Sequence, residues 1–317
     1  LTIAALCLAL AIDRWLGEPP ARWHPVVWIG SYLAQAGRRI APRAPSAPSD
    51  NLVRFAAGTI AWCVGATVVL VPAFMVAALA DRLPSWAGAL LIAFALKPLL
   101  AWRMLRDEVL TVEAALGHSL EAGRAQLARL VSRDVSVLSA GEVRESAIES
   151  LAENLNDSLV APIFWFALLG LPGAALYRFA NTADAMWGYR GEREGRDWEW
   201  AGKWAARADD VLSWVPARLT ALLLLLCCAL PAGRKSSWRT IRAEARKTPS
   251  PNSGWPMGAM ALVLGIRLAK PNVYALNGTG REPSESDTLR ALALGNRVTA
   301  MSALCAVVAI ASMAAMG

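Results

Sequence analysis

Between Phe55 and Ala80 the chain carries no charged residue for about 26 consecutive positions. As a helix such a run rises about 39 Å, enough to cross the roughly 30 Å of hydrocarbon in a bilayer. Composition supports lipid over a water-soluble core: 56% of the 317 residues are hydrophobic and 18% charged, against about 45–50% and about 25% in soluble domains. A disordered chain, a disulfide scaffold and most soluble enzymes are excluded. Although length alone suggests about two domains, apolar runs from end to end predict an all-α, polytopic integral membrane protein with hairpin and broken or re-entrant helices. A single membrane-embedded catalytic domain, 1–317, is expected, with no separate soluble domain.

Asp81-Arg82 closes the first run, and Leu83-Pro84-Ser85 can turn the chain into a second, Trp86 to Trp102, interrupted only by Lys97-Pro98. The two read as a helical hairpin. Val298 to Gly317 is a third span, and Ser158 to Tyr177 a fourth whose Gly170-Leu171-Pro172-Gly173 predicts a break. Val211 to Gly233 is a fifth, with Pro216 and Arg218 near its start. Leu1 to Ile12 and Trp255 to Ile266 are too short to cross unaided. The first lacks a cationic start and a cleavage site, so it reads as retained structure. Cys7, Cys63, Cys227, Cys228 and Cys305 lie in apolar stretches without CxxC spacing, as small hydrophobic side chains rather than disulfides or zinc ligands.

The formal charge of +7 admits nucleic acid, anionic lipid or an anionic substrate, and placement decides among them. All cations but Arg82, Lys97 and Arg218 fall in five polar stretches, 13–54, 103–157, 178–210, 234–254 and 267–297. The positive-inside bias puts all five on the cytoplasmic side if the intervening apolar segments are hairpins, re-entrant loops or interfacial helices, so one membrane face is expected to collect the chemistry; the alternative leaves 178–210 outside. The partner is then the lipid bilayer and an anionic substrate, with no nucleic acid.

Neither GxxxxGK[ST] nor GxGxxG is present, nor a GxSxG elbow, and two histidines are too few for zinc. Carboxylates and amides remain. In ESLAENLND, Glu149 to Asp157, helical spacing puts Ile148, Leu151, Leu155 and Leu159 on one face and Glu149, Glu153 and Asp157 on another. Stacked like charges weaken a helix unless a cation such as Mg2+ sits among them; the bland alternative is a solvated acidic face balanced by Arg133 and Arg144. In NTADAMWGYR, Asn181 and Asp184 are one turn apart, and Tyr189-Arg190 offer donors to phosphate or carboxylate. Asp209-Asp210, at the edge of an apolar segment, should face water, metal or a cation. His24 falls in a proline-fixed loop, and Thr248 to Met260 is a rigid, charge-free stretch that reads equally as a loop presenting backbone N–H groups to a phosphate or as a tight turn. Trp15, Trp23, Trp28, Trp187, Trp198, Trp200 and Trp204 read as an interfacial belt.

In order, D-x-x-x-G-E-P-P with HPVxWIG (Asp13 to Gly30), AEN-x-x-D (Ala152 to Asp157), the proline stretch at Pro162, NT-x-D-x-M-x-GYR (Asn181 to Arg190), DD with PARL (Asp209 to Leu219) and SPNSGWPM (Ser250 to Met257) span most of the chain. Together they resemble the membrane-bound adenosylcobinamide-phosphate synthases of cobalamin biosynthesis, the CobD/CbiB family. The resemblance implies an ATP-dependent ligation at the inner membrane, active site on the cytoplasmic side, joining aminopropanol or ethanolamine phosphate to the propionate of a cobyric acid. It implies Mg2+ as cofactor, ATP as co-substrate, and a corrinoid and an amino-alcohol phosphate as substrates. A homo-oligomer or a complex with other corrinoid-pathway membrane enzymes is left open. Glu153, Asp157 and Asp184 are the catalytic candidates and, with Asp209 and Asp210, the pool for metal ligands and base. His24, Asn154, Asn181, Tyr189, Arg190, Arg207 and Asn252 are the substrate-contact candidates. Lys270 to Arg281 follows the family only loosely, and no role is assigned there. A Mg2+-dependent prenyl or alcohol-phosphate transferase is one rival reading; a corrinoid transporter or membrane sensor is the other.

Overall fold

The computed structural model describes residues 1–44, 50–131, 133–228 and 237–316; most of the Ala41 to Ser49 linker and the end of the Val211 to Gly233 run lie outside them. In chain order the helices are α1 (Thr2–Leu16), α2 (Pro25–Ile40), α3 (Asn51–Ala80), α4 (Ser85–Leu96), α5 (Trp102–His118), α6 (Leu120–Leu127), α7 (Ala140–Leu155), α8 (Ala161–Trp187), α9 (Lys203–Leu212), α10 (Trp214–Cys227), α11 (Trp238–Ala245), α12 (Gly254–Leu264) and α13 (Glu285–Met316). Two small antiparallel hairpins accompany them, β1 (Glu192–Arg193) with β2 (Arg196–Asp197) and β3 (Leu268–Lys270) with β4 (Tyr274–Leu276). The protein is helical and polytopic, as expected: Asn51–Ala80, Ser85–His118, Ala140–Trp187 and Glu285–Met316 are long and apolar enough to cross a membrane. The bent pair α9 and α10 makes a fifth if counted as one span.

The chain divides into two compact units, neither continuous in sequence. The first is built from Leu1–Leu100, Ala161–Ser213 and Ala306–Gly317. In it α3 and α4 form the predicted hairpin around Leu83-Pro84, with α1 packed on α4. Lys97-Pro98 ends α4 in a single 3-10 turn, as proline's missing N–H requires. Along α3, Val64, Val68, Phe74 and Met75 stand exposed, an apolar surface suited to hydrocarbon. The predicted break in the fourth run falls at Gly170, whose φ of 65° and ψ of −158° no side-chain-bearing residue adopts readily. The core holds Ile29, Leu33, Phe179, Trp187 and Trp198. Trp187 and Trp198 are therefore not in an interfacial belt: they stack on each other at 6.5 Å, and the Trp187 indole N–H donates to the Leu33 carbonyl at 3.1 Å. Trp15, Trp23 and Trp28 are exposed.

The second unit comprises Ala101–Val160 and Trp214–Cys305. Its spine is α7, which starts at a reciprocal cap: the Glu142 N–H donates to Ser139 Oγ, and the Ser139 N–H donates to Glu142 Oε2 at 2.7 Å. Ile148, Leu151, Leu155 and Leu159 are fully buried, as the spacing predicted. At Asn156–Val160, however, the helix loosens into a π-turn. That turn ends the strict four-residue register, so Asp157 does not continue the stripe of Glu149 and Glu153. The β3–β4 hairpin packs on α7, pairing Leu268 with Leu276 and Lys270 with Tyr274. At its C-terminus α12 closes on Gly265 in the left-handed region, φ 69°.

Candidate functional site

In the first unit, α8 and α9 pack together and bring two motifs into contact. The Asn181 amide donates to Asp209 Oδ1 at 3.4 Å, and Ser213 Oγ lies 3.5 Å from both Asp209 oxygens. The Arg190 guanidinium, at the end of the α8 motif, acts electrostatically on Asp210 of α9. Gly188 is required by close approach: its N–H donates to the Asp184 carbonyl at 2.7 Å, and a Cβ there would collide with Asp184 Oδ1. Tyr189 donates its hydroxyl to the Ala185 carbonyl at 2.8 Å and lies under Arg193. Burial pushes its phenol above the ordinary value, helped by Glu194 and Asp184 and opposed by Arg193. Arg190 and Arg207 are exposed. Asn181 of α8 and Arg190 just beyond it thus meet Asp209 and Asp210 of α9, with Asp184 one turn from Asn181 on α8.

His24 has a different setting. It is the N-cap of α2, with Nδ1 accepting from the Val26 N–H at 3.2 Å and Nε2 3.1 Å from Glu18 Oε2. Lys97, almost fully buried, lies 2.7 Å from the same Glu18 oxygen and 3.4 Å from Asp13 Oδ1. Burial alone would raise the Glu18 carboxyl; hydrogen bonds from His24 and Lys97 outweigh it and hold the group below the usual carboxylate range. Sequence reasoning passed over Lys97, although a single cation inside an otherwise uncharged run was the signal.

In the second unit, Glu153 and Asn154 line a small cavity of about 160 Å³ together with Arg133, Glu149, Ser150 and Lys270. Glu149 is 7% exposed; its Oε1 accepts from the Tyr274 hydroxyl at 2.8 Å and lies 3.7 Å from Arg133 Nη2. Burial, with the Glu149 carboxylate next, pushes the Tyr274 phenol far above its ordinary value, so it stays a donor. Glu149 is therefore buried rather than solvated, and Arg133 and Lys270 balance its charge. Arg144 instead pairs with Glu113, Nη2 to Oε1 at 2.7 Å. Lys270 reaches the cavity from the β3–β4 hairpin, and Tyr274 of the same hairpin reaches Glu149; both lie inside the stretch to which the sequence assigned no role. Asp157 is held by its neighbour: the Asn156 amide donates to Asp157 Oδ1 at 2.7 Å, and Thr220 Oγ1 donates to Asn156 Oδ1 at 2.9 Å.

Elsewhere in this unit PARL meets SPNSGWPM. Arg218 donates to Asn252 Oδ1 at 2.7 Å, to the Pro251 carbonyl at 3.2 Å and to the Trp214 carbonyl at 2.8 Å, with the Trp214 and Trp255 rings 4.4 and 4.8 Å from its guanidinium. Asn252 thus orients an arginine. Around them opens a cleft of about 810 Å³ lined also by Trp238, Arg242 and Arg246, whose rings and guanidinium groups suit a large, flat, anionic molecule.

Hard oxygen donors are present for Mg2+ in both units, which takes one or two carboxylates and completes its shell with water and substrate phosphate. Among the described residues no group of three or more His, Cys, Asp or Glu side chains is set to hold a metal by itself. The donor set therefore fits a metal brought in with phosphate rather than a resident ion in a protein cage.

The profile of the family described as "CobD/Cbib protein" matches residues 6–304. The "Probable cobalamin biosynthesis protein CobD" of Thermococcus kodakarensis is 41% identical over 285 residues, covering 90% of this chain and 88% of its own. The "Cobalamin biosynthesis protein CobD" of Brucella suis is 37% identical over 304 residues, 90% and 89% of the two chains; that of Rhodobacter capsulatus is 37% identical over 312 residues, 94% of each. No solved structure matches.

Proposed function

Since this chain belongs to the CobD/CbiB family, we propose that it serves cobalamin biosynthesis as a membrane adenosylcobinamide-phosphate synthase, an ATP-dependent carbon–nitrogen ligase. The observation behind this reading is that motifs far apart in sequence meet as polar pairs: Asn181 with Asp209, and Arg218 with Asn252. Residues chosen only to fill a lipid-embedded core would not need such pairs.

The chemistry sets the requirements. A propionate carboxylate is a poor acyl donor. Transfer of a phosphoryl group from ATP gives an acyl phosphate and ADP; attack by the amine nitrogen then forms the C–N bond and expels phosphate, and the nitrogen gives up one proton. Mg2+, when bound, screens phosphate charge during both steps. Asp184, Asp209 and Asp210 are the pool from which one or two carboxylates would meet a phosphate-bound metal, with Asn181 beside Asp209, and the exposed Arg190 and Arg207 would meet anionic oxygens. Glu153 is the base that receives the amine proton, with Asp157 the second candidate. His24 and Tyr189, their polar atoms engaged within the protein, are positioning residues. The Trp and Arg side chains around Arg218 suit the nucleotide. The distribution of Lys and Arg supports the inner membrane with the site on the cytoplasmic side.

The test is purified protein with adenosylcobyric acid, aminopropanol or ethanolamine phosphate, ATP and Mg2+, read by mass of the amide product. Asp184→Asn, with folding and insertion verified, should lower turnover about 10²-fold or more; near-normal ligation removes Asp184 from the site. Corrinoid crossing vesicles without chemical change would favour a transporter, and turnover of a prenyl diphosphate the transferase.

A further inference from the structure

The small cavity on α7 has an unusual charge balance. Two carboxylates, Glu149 and Glu153, share its lining with two cations, Arg133 and Lys270. Both cations act electrostatically on Glu149, but hydrogen bonding does not use every buried polar atom. Glu149 is 7% exposed, yet among the described residues its Oε2 has no hydrogen-bond partner, and neither does the buried Nη1 of Arg133. The nearest Arg133–Glu149 approach, 3.7 Å, is too long for a hydrogen bond. A buried charged atom left without a partner is costly, so the cavity is set to receive groups of both signs. At about 160 Å³ it holds a molecule of only a few heavy atoms.

We infer that this cavity binds a small zwitterion in which a primary ammonium and a phosphate monoester are two or three carbons apart. The ammonium donates to Glu149 Oε2 and Glu153. The phosphate accepts from Arg133 Nη1 and Lys270. Asn154, whose amide donates to the Ser150 carbonyl at 3.0 Å, lines the same cavity. The Tyr274 hydroxyl occupies Glu149 Oε1 and leaves Oε2 to the ligand. Lys270, at the mouth, comes from the β3–β4 hairpin, which Arg267 fixes to α7 through Glu145 at 2.9 Å. The inference rests on the synthase reading, since it assigns that reading's amino-alcohol phosphate to one cavity and makes Glu153 its neighbour. The same ammonium–phosphate chemistry occurs in a phosphoethanolamine lipid headgroup. Two cations match the dianionic monoester better than the monoanionic diester.

The test is calorimetric titration of the full-length protein in detergent, without ATP or corrinoid. Ethanolamine phosphate should bind at least tenfold more tightly than ethanolamine or ethyl phosphate, and more tightly than glycerophosphoethanolamine. Lys270→Ala, at the exposed end of the hairpin, should weaken ethanolamine phosphate about tenfold and leave ethanolamine unchanged; Glu149→Gln should do the converse, weakening amine-bearing ligands and sparing ethyl phosphate. Absence of binding to folded wild type, or binding indifferent to both substitutions, overturns the assignment. Equal binding of glycerophosphoethanolamine overturns it in favour of the lipid headgroup. Ligation assays separate the two readings: if wild type ligates and Lys270→Ala keeps its KM for the amino-alcohol phosphate, the cavity is wrong and the synthase stands. If ethanolamine phosphate binds as described but no corrinoid is ligated, the cavity stands and the synthase falls.

Discussion

Two buried carboxylates of the second unit, Asp287 and Glu149, are treated in opposite ways. Asp287 is fully buried and fully occupied: Arg281 reaches both its oxygens at 2.6 Å, Arg290 lies at 3.2 Å, and the Ser284 hydroxyl and N–H donate at 2.7 and 2.9 Å. Glu149 is nearly as buried, yet one oxygen has Tyr274 and the more distant Arg133, and the other has no hydrogen-bond partner among the described residues. Burial of a charge is tolerated when each lone pair finds a donor. Asp287 meets that condition within the protein and pins the start of α13. Glu149 meets it only when something else arrives. Saturation therefore separates a carboxylate that holds the fold from one kept for a ligand.

The largest expected effect tests that separation directly. Asp287→Ala removes the acceptor of both Ser284 donors and of the half-exposed Arg281 and Arg290, and should lower stability by about 3 kcal/mol as these hydrogen bonds are lost together. Glu149→Gln keeps an acceptor for Tyr274 and should change stability by roughly 1 kcal/mol. Thermal unfolding in detergent reads both; equal losses would break the distinction.

A smaller effect concerns Asp157. Thr220, fully buried, donates to Asn156, whose amide in turn holds Asp157. Thr220→Val keeps the shape and leaves Asn156 Oδ1 without that donor, so a loss of about 1–3 kcal/mol is expected. If Asp157 serves the reaction through this relay, turnover should fall along with the melting temperature, while Thr220→Ser restores both.

How far the sequence reached follows from the range of the forces involved. The Asn51–Ala80 helix and the break at Gly170 were legible because hydrophobic length and glycine or proline backbone limits act locally. The π-turn at Asn156–Val160 was not: periodicity assumes a regular helix and cannot register one widened turn. Asn181, Asp184 and Asp209 were identified as polar residues beside broken apolar segments, but their grouping depends on how α8 and α9 pack. The β3–β4 hairpin escaped because strands of three residues have too little alternation to read. With it went Lys270 and Tyr274, whose importance is visible only against Glu149.

Arg218 extends the comparison to cations. It is held by three acceptors and two indole rings, and a lysine cannot reproduce a planar fork between them. Arg218→Lys should therefore raise KM for ATP about tenfold, close to 1.4 kcal/mol, with little change in kcat. Lys270→Arg, at an unsaturated site, should be tolerated within about twofold, because any cation there meets the phosphate as a charge. Initial-rate kinetics distinguish the two.

The smallest expected effect belongs to Glu18, an intermediate case: Lys97 and His24 both engage Oε2, and Oε1 has no hydrogen-bond partner among the described residues. Burial opposes its charged form, yet the hydrogen bonds and charges of these two partners hold its carboxyl below the usual range. A depressed folded value means that the charged form stabilises the native state above the unfolded value of about 4.3. This contribution is constant at neutral pH and disappears as pH falls through the depressed folded value. In wild type, melting temperature should decline across that acid window; in Glu18→Gln the decline should be shallower, with a constant gap between the proteins above about pH 5.5. Parallel curves through the acid range would show that the free oxygen, not the Lys97 pair, governs Glu18, and would move it from the occupied class to the class of Glu149.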